Sequence, residues 1–333
     1  MPKSGMEASL LFLWLFDNLS FSISHHTLVF EHTCLHVQMT GKESYDMKGT
    51  YPVPPHGKET WKQLQEVAKF GYSSSEVFTD FVEAVLACLL SMTFNLEHSS
   101  YEQFRERVQN NAFVGEYEDR YMRIVNRYKE NKTRKPGSQP ADYFKNAWAA
   151  LQVETEASQK DVLGDLYESQ ISLGEHGQFF SPESLAQVLN TLLGSHEGER
   201  VLEPACGSGR LLIQAAKENP YRRFVGIDKS PICARMAVLN MWLFGINADI
   251  YQGNTLSMEM SYLWHIRGEF IWEYKIENGV VASPASVSAP IQKSQAVTTP
   301  AQAGATKQKK KPVPKRQKAG ETIQQRGLFD LDE

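Results

Sequence analysis

Between residues 59 and 173 the apolar positions recur at three- and four-residue steps. Phe78, Phe81, Val82, Val85, Leu86 and Leu89 make one such series, and Tyr117, Tyr121, Ile124, Val125 and Tyr128 another. That period predicts helices with one buried face. The stretch "ENKTRKPGSQP" (130–140) is charged and punctuated by Pro and Gly, so a break is expected there. Helical patterning resumes through Tyr143, Ala147, Trp148 and Leu151, then through Val162, Leu163, Leu166 and Tyr167. From 174 to 275 the period changes. Short apolar runs alternate with helical stretches, the sign of βαβ units around a parallel sheet. From 282 to 333 Ala, Pro, Ser, Gln and Lys dominate and the period vanishes, which predicts a disordered basic tail. Residues 1–58 are irregular, with an apolar run Leu10–Phe16, a β-like stretch Thr27–Met39 read as a hairpin, and "YPVPPHG" read as turn and extended chain. They fit the rest poorly, and a native start further downstream is one reading of them.

The 174–275 region divides further. Ser181 suits a helix N-cap, Pro182 the first helical position and Glu183 the helix dipole. Leu185, Val188, Leu189 and Leu192 are expected to form that helix's buried face. Arg200–Leu202 reads as a strand running into "EPACGSGR", where Gly207 and Gly209 permit a tight turn that brings backbone close to a ligand. The helix from Arg210 aims its free N–H groups at the same spot and packs through Leu211, Leu212, Ala215 and Ala216. Phe224–Ile227 is the second strand, and Asp228 follows it 19 residues after Gly209, close to the ~20 expected of an acid that grips ribose hydroxyls. Ser230 and Pro231 are expected to cap the next helix. A third strand near Asp249–Gln252 leads to Gly253 and Asn254. This order is half of a doubly wound sheet.

Composition narrows the function. The 333 residues are 41% hydrophobic and 22% charged, ordinary for a globular chain, and 35 basic against 39 acidic residues give a net charge of −4. A uniformly basic nucleic-acid coat is excluded, though a local basic patch is not. Four cysteines, none in a CxxC pair, exclude a disulfide scaffold and a zinc ribbon. Leu10–Phe16 is far shorter than the ~20 residues of a membrane span, so a soluble, cytoplasmic protein without membrane contact is expected. Leu212 occupies the place of the third fingerprint glycine of a nicotinamide site, and no GKS or GKT of an NTPase loop follows.

"DLYESQISLGEHGQFFSPESL" followed by "VLEPACGSGRLL" resembles the adenine-N6 DNA methyltransferases of the type I restriction-modification class, over about residues 160–256. The resemblance implies a Rossmann-like α/β domain that binds S-adenosylmethionine, preceded by a helical region, acting on a flipped adenine in duplex DNA. It implies that Gly177, Gln178, Phe179, Phe180, Ser181 and Pro182 form the first cofactor motif, with the two aromatics flanking the cofactor. Glu203, Pro204, Ala205, Cys206, Gly207, Ser208 and Gly209 would be the main cofactor loop. Asp228 would accept both ribose hydroxyls. Asn254 stands where many relatives have an Asp that accepts from the adenine amino group. Phe179, Phe180 and Cys206 also read as plain core, a reading the resemblance only partly shifts, and Ser181 is a helix cap on any reading.

Aiming a flipped adenine amine at a sulfonium methyl needs acceptors and a stacking aromatic, which relatives supply as N/D/S-P-P-Y/F after the fourth strand. Downstream of Asn254 no such tetrapeptide occurs. The Pro54–Pro55 pair lies between Val53 and His56 and reads as a turn, so no catalytic residue is assigned. Three accounts stay open: a truncated gene, a half-enzyme completed by a specificity or complementary methylase subunit, and a cofactor-binding, DNA-associated module. A different small-molecule methyltransferase is a further alternative.

Smaller signals complete the reading. Lys307, Lys309, Lys310, Lys311, Lys315, Arg316 and Lys318 form a run that suits a sequence-blind phosphate tether. Gln325, Leu328 and Phe329 resemble a sliding-clamp-binding peptide. His32, Cys34 and His36 share one face if their segment is a strand, and no metal is expected there.

Overall fold

The Ser73 side chain accepts the Glu76 N–H and starts the longest helix of a computed structural model that describes residues 52–110, 115–131, 133–172, 181–193 and 200–281. The 3-10 turn Pro55–Gly57 leads into α1 (Lys58–Ala68), followed by α2 (Ser74–Glu97), α3 (Tyr101–Asn110), α4 (Glu116–Val125), α5 (Pro140–Ser158) and α6 (Val162–Leu166), which relaxes into a π-helical stretch at Tyr167–Ser172. After α7 (Glu183–Leu193) the alternation begins: β1 (Arg200–Glu203), α8 (Arg210–Glu218), β2 (Arg223–Asp228), α9 (Pro231–Leu243) and β3 (Ala248–Asn254). Then come β4 (Glu259–Arg267), β5 (Phe270–Glu277) and β6 (Val280–Val281).

The helical expectations hold in detail. Phe78, Phe81, Val82, Val85, Leu86 and Leu89 are all buried, as are Ala147, Trp148, Leu151, Val162, Leu163 and Leu166. The charged break falls between α4 and α5. A capping box restarts the chain at α5, where the Gln139 N–H donates to the Asp142 carboxylate. By length and composition α2 could cross a membrane, yet 83% of that stretch is buried inside the protein. Its Thr93 hydroxyl accepts the Ile271 N–H of β5 at 3.1 Å, and Glu97 at its end accepts from the Trp272 indole.

Strands β1, β2 and β3 pair in parallel and in sequence order, the half of a wound sheet that the pattern predicts. Instead of winding back, β3 turns antiparallel into β4 and β5. Phe224, Ala248, Ile250, Trp264, Ile266 and Ile271 alternate along their strands onto one face and join α2 and α9 in a common core. The hairpin goes beyond the three strands expected from the pattern, although Met260, Tyr262, Trp264 and Ile266 alternate ahead of a glycine at positive φ, Gly268.

One expectation is corrected. Leu185, Val188, Leu189 and Leu192 of α7 are 46, 54, 37 and 78% exposed, so they are not its buried face. The helix turns Ala186 and Asn190 inward instead. Periodicity locates an apolar stripe, but what covers it is a tertiary fact. Thr27–Met39, His32, Cys34, His36, the basic tail and Gln325–Phe329 lie outside the described residues.

Glu118 on α4 gives a pH-dependent test. Its Oε2 is buried with no hydrogen-bond partner among the described residues, and burial, helped by the neighbouring Asp119, pushes its pKa up to about 7. The folded state therefore favours the protonated acid. Its stabilising contribution is full below the ordinary value of 4.5 and is lost as pH rises through about 7. Glu118→Gln is expected to flatten the stability profile across that window. Urea unfolding of both proteins at several pH values measures this, and parallel profiles contradict it.

Candidate functional site

The sheet register builds a rim. Glu203 at the end of β1 is level with Gly226 in β2, and Asp228 at the end of β2 is level with Gln252 in β3. Glu203, Asp228 and Asn254 thus stand at the carboxyl ends of three adjacent parallel strands, where open α/β sheets bind ligands.

The loop from Pro204 to Gly209 sits on this rim. The Cys206 N–H donates to Ile227 O at 2.9 Å, and the Gly209 N–H to Cys206 O at 2.8 Å, which closes a tight turn. Gly207 and Gly209 have φ of 54° and 87°, the left-handed conformation that glycine adopts without penalty. A Cβ on Gly226 would stand 2.8 Å from Ile250 Cδ1 and 3.0 Å from Cys206 Sγ, so the bare backbone there lets the loop settle onto β2.

Asp228 does more than wait for a ligand. Its Oδ2 accepts the Gly207 N–H and its Oδ1 the Ser230 N–H, both at 2.8 Å. The carboxylate fastens the glycine loop to the start of α9, and each oxygen keeps a second lone pair for an outside donor. Ser230 holds the N-cap position with Pro231 behind it, as expected, but its hydroxyl makes no bond to the helix amides. Asn254 likewise has a local duty: its Oδ1 accepts the Leu256 N–H at 3.1 Å. Thr255 next to it donates its hydroxyl to Pro204 O at 2.5 Å, tying the end of β3 to the loop of β1. Burial pushes the Glu203 carboxyl above its ordinary value, against the opposing effect of the Ala205 N–H.

Other assigned residues divide by side-chain direction. Cys206 and Ser208 are buried, so their side chains do not reach the rim. Burial also pushes the Cys206 thiol well up, so it stays protonated. Pro204 and Ala205 are exposed. Ser181 offers its carbonyl to Arg210 Nη1 at 3.3 Å, and the Pro182 carbonyl accepts the Ala186 N–H. Gly177, Gln178, Phe179 and Phe180 lie outside the described residues.

Sequence reasoning missed what lies beneath the loop. Asp161, the N-cap of α6, is 4% exposed. It accepts from Gly164 N (2.8 Å), Asn240 Nδ2 (2.7 Å), Arg210 Nε (3.3 Å) and the Ser208 hydroxyl. Arg210 Nη2 reaches Asp165 at 2.5 Å, and the other oxygen of Asp165 meets His56 Nε2, also at 2.5 Å. The one available hint was an Asp three residues ahead of a glycine in the apolar "DVLGDL", a cap inside a buried helix.

A separate cavity of about 260 Å³ opens between α2, α4, α9 and the β4–β5 hairpin, lined among others by Glu83, Tyr117, Arg120, Arg235, Tyr262 and Glu273. None of its lining residues belongs to the loop or the strand ends.

Residues 158–303 match the family described as N-6 DNA Methylase. Two methylase subunits of type I restriction enzymes from Methanocaldococcus jannaschii are similar. MjaVIII is 34% identical over 107 residues, covering 29% of this chain and 18% of its own, and MjaVII is 30% identical over 131 residues, covering 35% and 22%. The Escherichia coli EcoEI methylase subunit is 26% identical over 147 residues, covering 36% and 30%. The matched stretch thus spans less than a third of each relative. A solved type I restriction-modification system methyltransferase subunit from Streptococcus thermophilus aligns over 61% of this chain and 59% of its own, at 16% identity and a TM-score of 0.33.

Proposed function

We propose, on the premise that residues 158–303 of this chain belong to the N-6 DNA methylase family, that the chain binds S-adenosylmethionine at the glycine loop and serves adenine-N6 methylation of duplex DNA. The observation that carries this reading is the loop itself. Two left-handed glycines and a strand-end carboxylate that already grips one of them lie inside the family match.

The residues present fit such a cofactor. Gly207 carries no side chain where a ligand can approach the backbone, while the bare Gly209 lets the loop pack against Met241 and Ala237 of α9. The free lone pairs of Asp228 suit two vicinal hydroxyls, and Glu203 supplies a further acceptor on the same rim. Asn254 has an amide group there, with one oxygen lone pair already given to Leu256. When bound, the cofactor supplies a methyl group on a sulfonium. The chain's own part is to hold the nucleoside end at the rim and to keep the loop from moving. Gly177–Pro182 is assigned to the first cofactor motif, duplex DNA is the proposed substrate, a specificity subunit the proposed partner and the cytoplasm the proposed location.

A second reading is that another polypeptide completes the site. It is favoured by the course of the chain after β3, which enters the β4–β5 hairpin, and by β1, whose outer edge pairs with no described strand. Labelled S-adenosylmethionine, duplex DNA and the purified protein separate the two. Label in N6-methyladenine is expected from a complete enzyme. Cofactor binding without transfer, with transfer appearing when a methylase fragment bearing the N/D/S-P-P-Y/F tetrapeptide is added, is expected from the second. No binding at all refutes both.

A further inference from the structure

We infer that Asp161 is a positioning residue for the glycine loop, so that ligand binding at the rim is set from the helical region. The inference rests on reading that loop as the cofactor loop, and extends it to a residue that never meets the rim.

Gly207 and Gly209 give the loop its shape and also its freedom, because a glycine surrenders more conformational entropy on ordering than any other residue. Something outside the loop must hold it. Asp228 grips Gly207 from the rim side. Asp161 grips the residues on either side of Gly209: the Ser208 hydroxyl and Arg210 Nε both donate to its Oδ2. Its Oδ1 accepts from Gly164 N and from Asn240 Nδ2. The same Asn240 amide donates to Ser208 O at 2.8 Å, so the serine is held at both its hydroxyl and its carbonyl. Four donors on a single buried carboxylate come from α6, the loop, α8 and α9.

The arrangement is tight enough to dictate its neighbours. A Cβ on Gly164 would stand 2.0 Å from Asp161 Oδ2 and 2.4 Å from Ser208 Oγ, so only glycine admits the contact. Burial lifts the Asp161 carboxyl above its ordinary value while Arg210 pulls it back down. Arg210 is then claimed a second time by Asp165, which His56 in turn engages from the start of the helical region. The loop is thus anchored to residues more than forty positions upstream.

The test uses the full chain, S-adenosylhomocysteine as probe, and three variants: Asp161→Asn, Ser208→Ala and Asp249→Asn. Asp249 pairs with His265 and Arg267 at 2.6 and 3.0 Å on the sheet and serves as the stability control. Titration calorimetry is expected to show the probe bound at least about tenfold more weakly by Asp161→Asn and about threefold by Ser208→Ala, with Asp249→Asn unchanged. Hydrogen exchange is expected to show the Gly207 and Gly209 amides losing protection in the first two only. Wild-type affinity and wild-type exchange at those amides in Asp161→Asn, or in Ser208→Ala should Asp161→Asn not fold, overturn the inference. So does an equal affinity loss in Asp249→Asn, which marks a general stability effect. A wild-type chain that binds no probe refutes the cofactor reading instead, and the exchange of the two amides still decides the role of Asp161.

Discussion

Asp228→Ala is expected to abolish measurable binding of S-adenosylmethionine, a loss of at least about 100-fold, or ~2.7 kcal/mol. The size follows from two losses at once. The Ala variant removes the acceptors proposed for the ribose hydroxyls. It also removes the partners of the Gly207 and Ser230 N–H groups, and a hydrogen bond to a charged group contributes about 1.5–3 kcal/mol. The loop then has no hold on its rim side. Asp228→Asn should fall between, because the amide retains one acceptor oxygen but turns an NH2 group toward the other backbone donor. Titration calorimetry measures both. Tryptophan fluorescence, reporting Trp148 and Trp242 in the core, establishes that the variants are folded. Binding by Asp228→Ala within threefold of wild type would remove Asp228 from the site.

What the sequence disclosed and what it withheld follow one physical division. Local patterns read correctly: the Phe78–Leu89 face, the break at 130–140, three strands within two residues of their ends, and the glycine bend. Each rests on contacts between neighbours in the chain or on a backbone conformation that few residues adopt. Features that depend on distant partners were hidden. The leucines of α7 form a periodic stripe, yet the stripe faces outward. Asp228 was legible as a strand-end acid, but its grip on Gly207 across 21 positions was not. Asp161 shows only a cap-like spacing to Gly164, because its other donors, Ser208, Arg210 and Asn240, lie 47 to 79 residues away. The β4–β5 hairpin differs: its alternation is visible in the sequence, but the antiparallel pairing of β4 with β3 is set by distant partners.

Arg120→Ala should unfold the protein at markedly lower urea, a loss of about 3–5 kcal/mol. Arg120 projects from α4 between α2 and β5. Its Nε donates to Glu83 and its Nη1 to both oxygens of Glu273, at 3.0 and 3.1 Å. The side chains of Arg120 and Glu273 are 18% and 9% exposed. Burial works against the guanidinium's charge, but the two carboxylates outweigh it and hold its pKa above the ordinary value. Without the arginine, Glu83 keeps Arg235 at 2.8 Å and Glu273 keeps the Trp264 indole at 2.7 Å. Among the described residues Glu273 then has no ion-pair partner to offset its buried charge. Adding Glu273→Gln to Arg120→Ala should restore part of the loss at neutral pH, since the amide carries no charge to bury and still accepts from Trp264. Urea titrations of the single and double variants at neutral pH measure this. No gain from the second substitution would show that Arg120 stabilises the fold by packing its stem and not by neutralising Glu273.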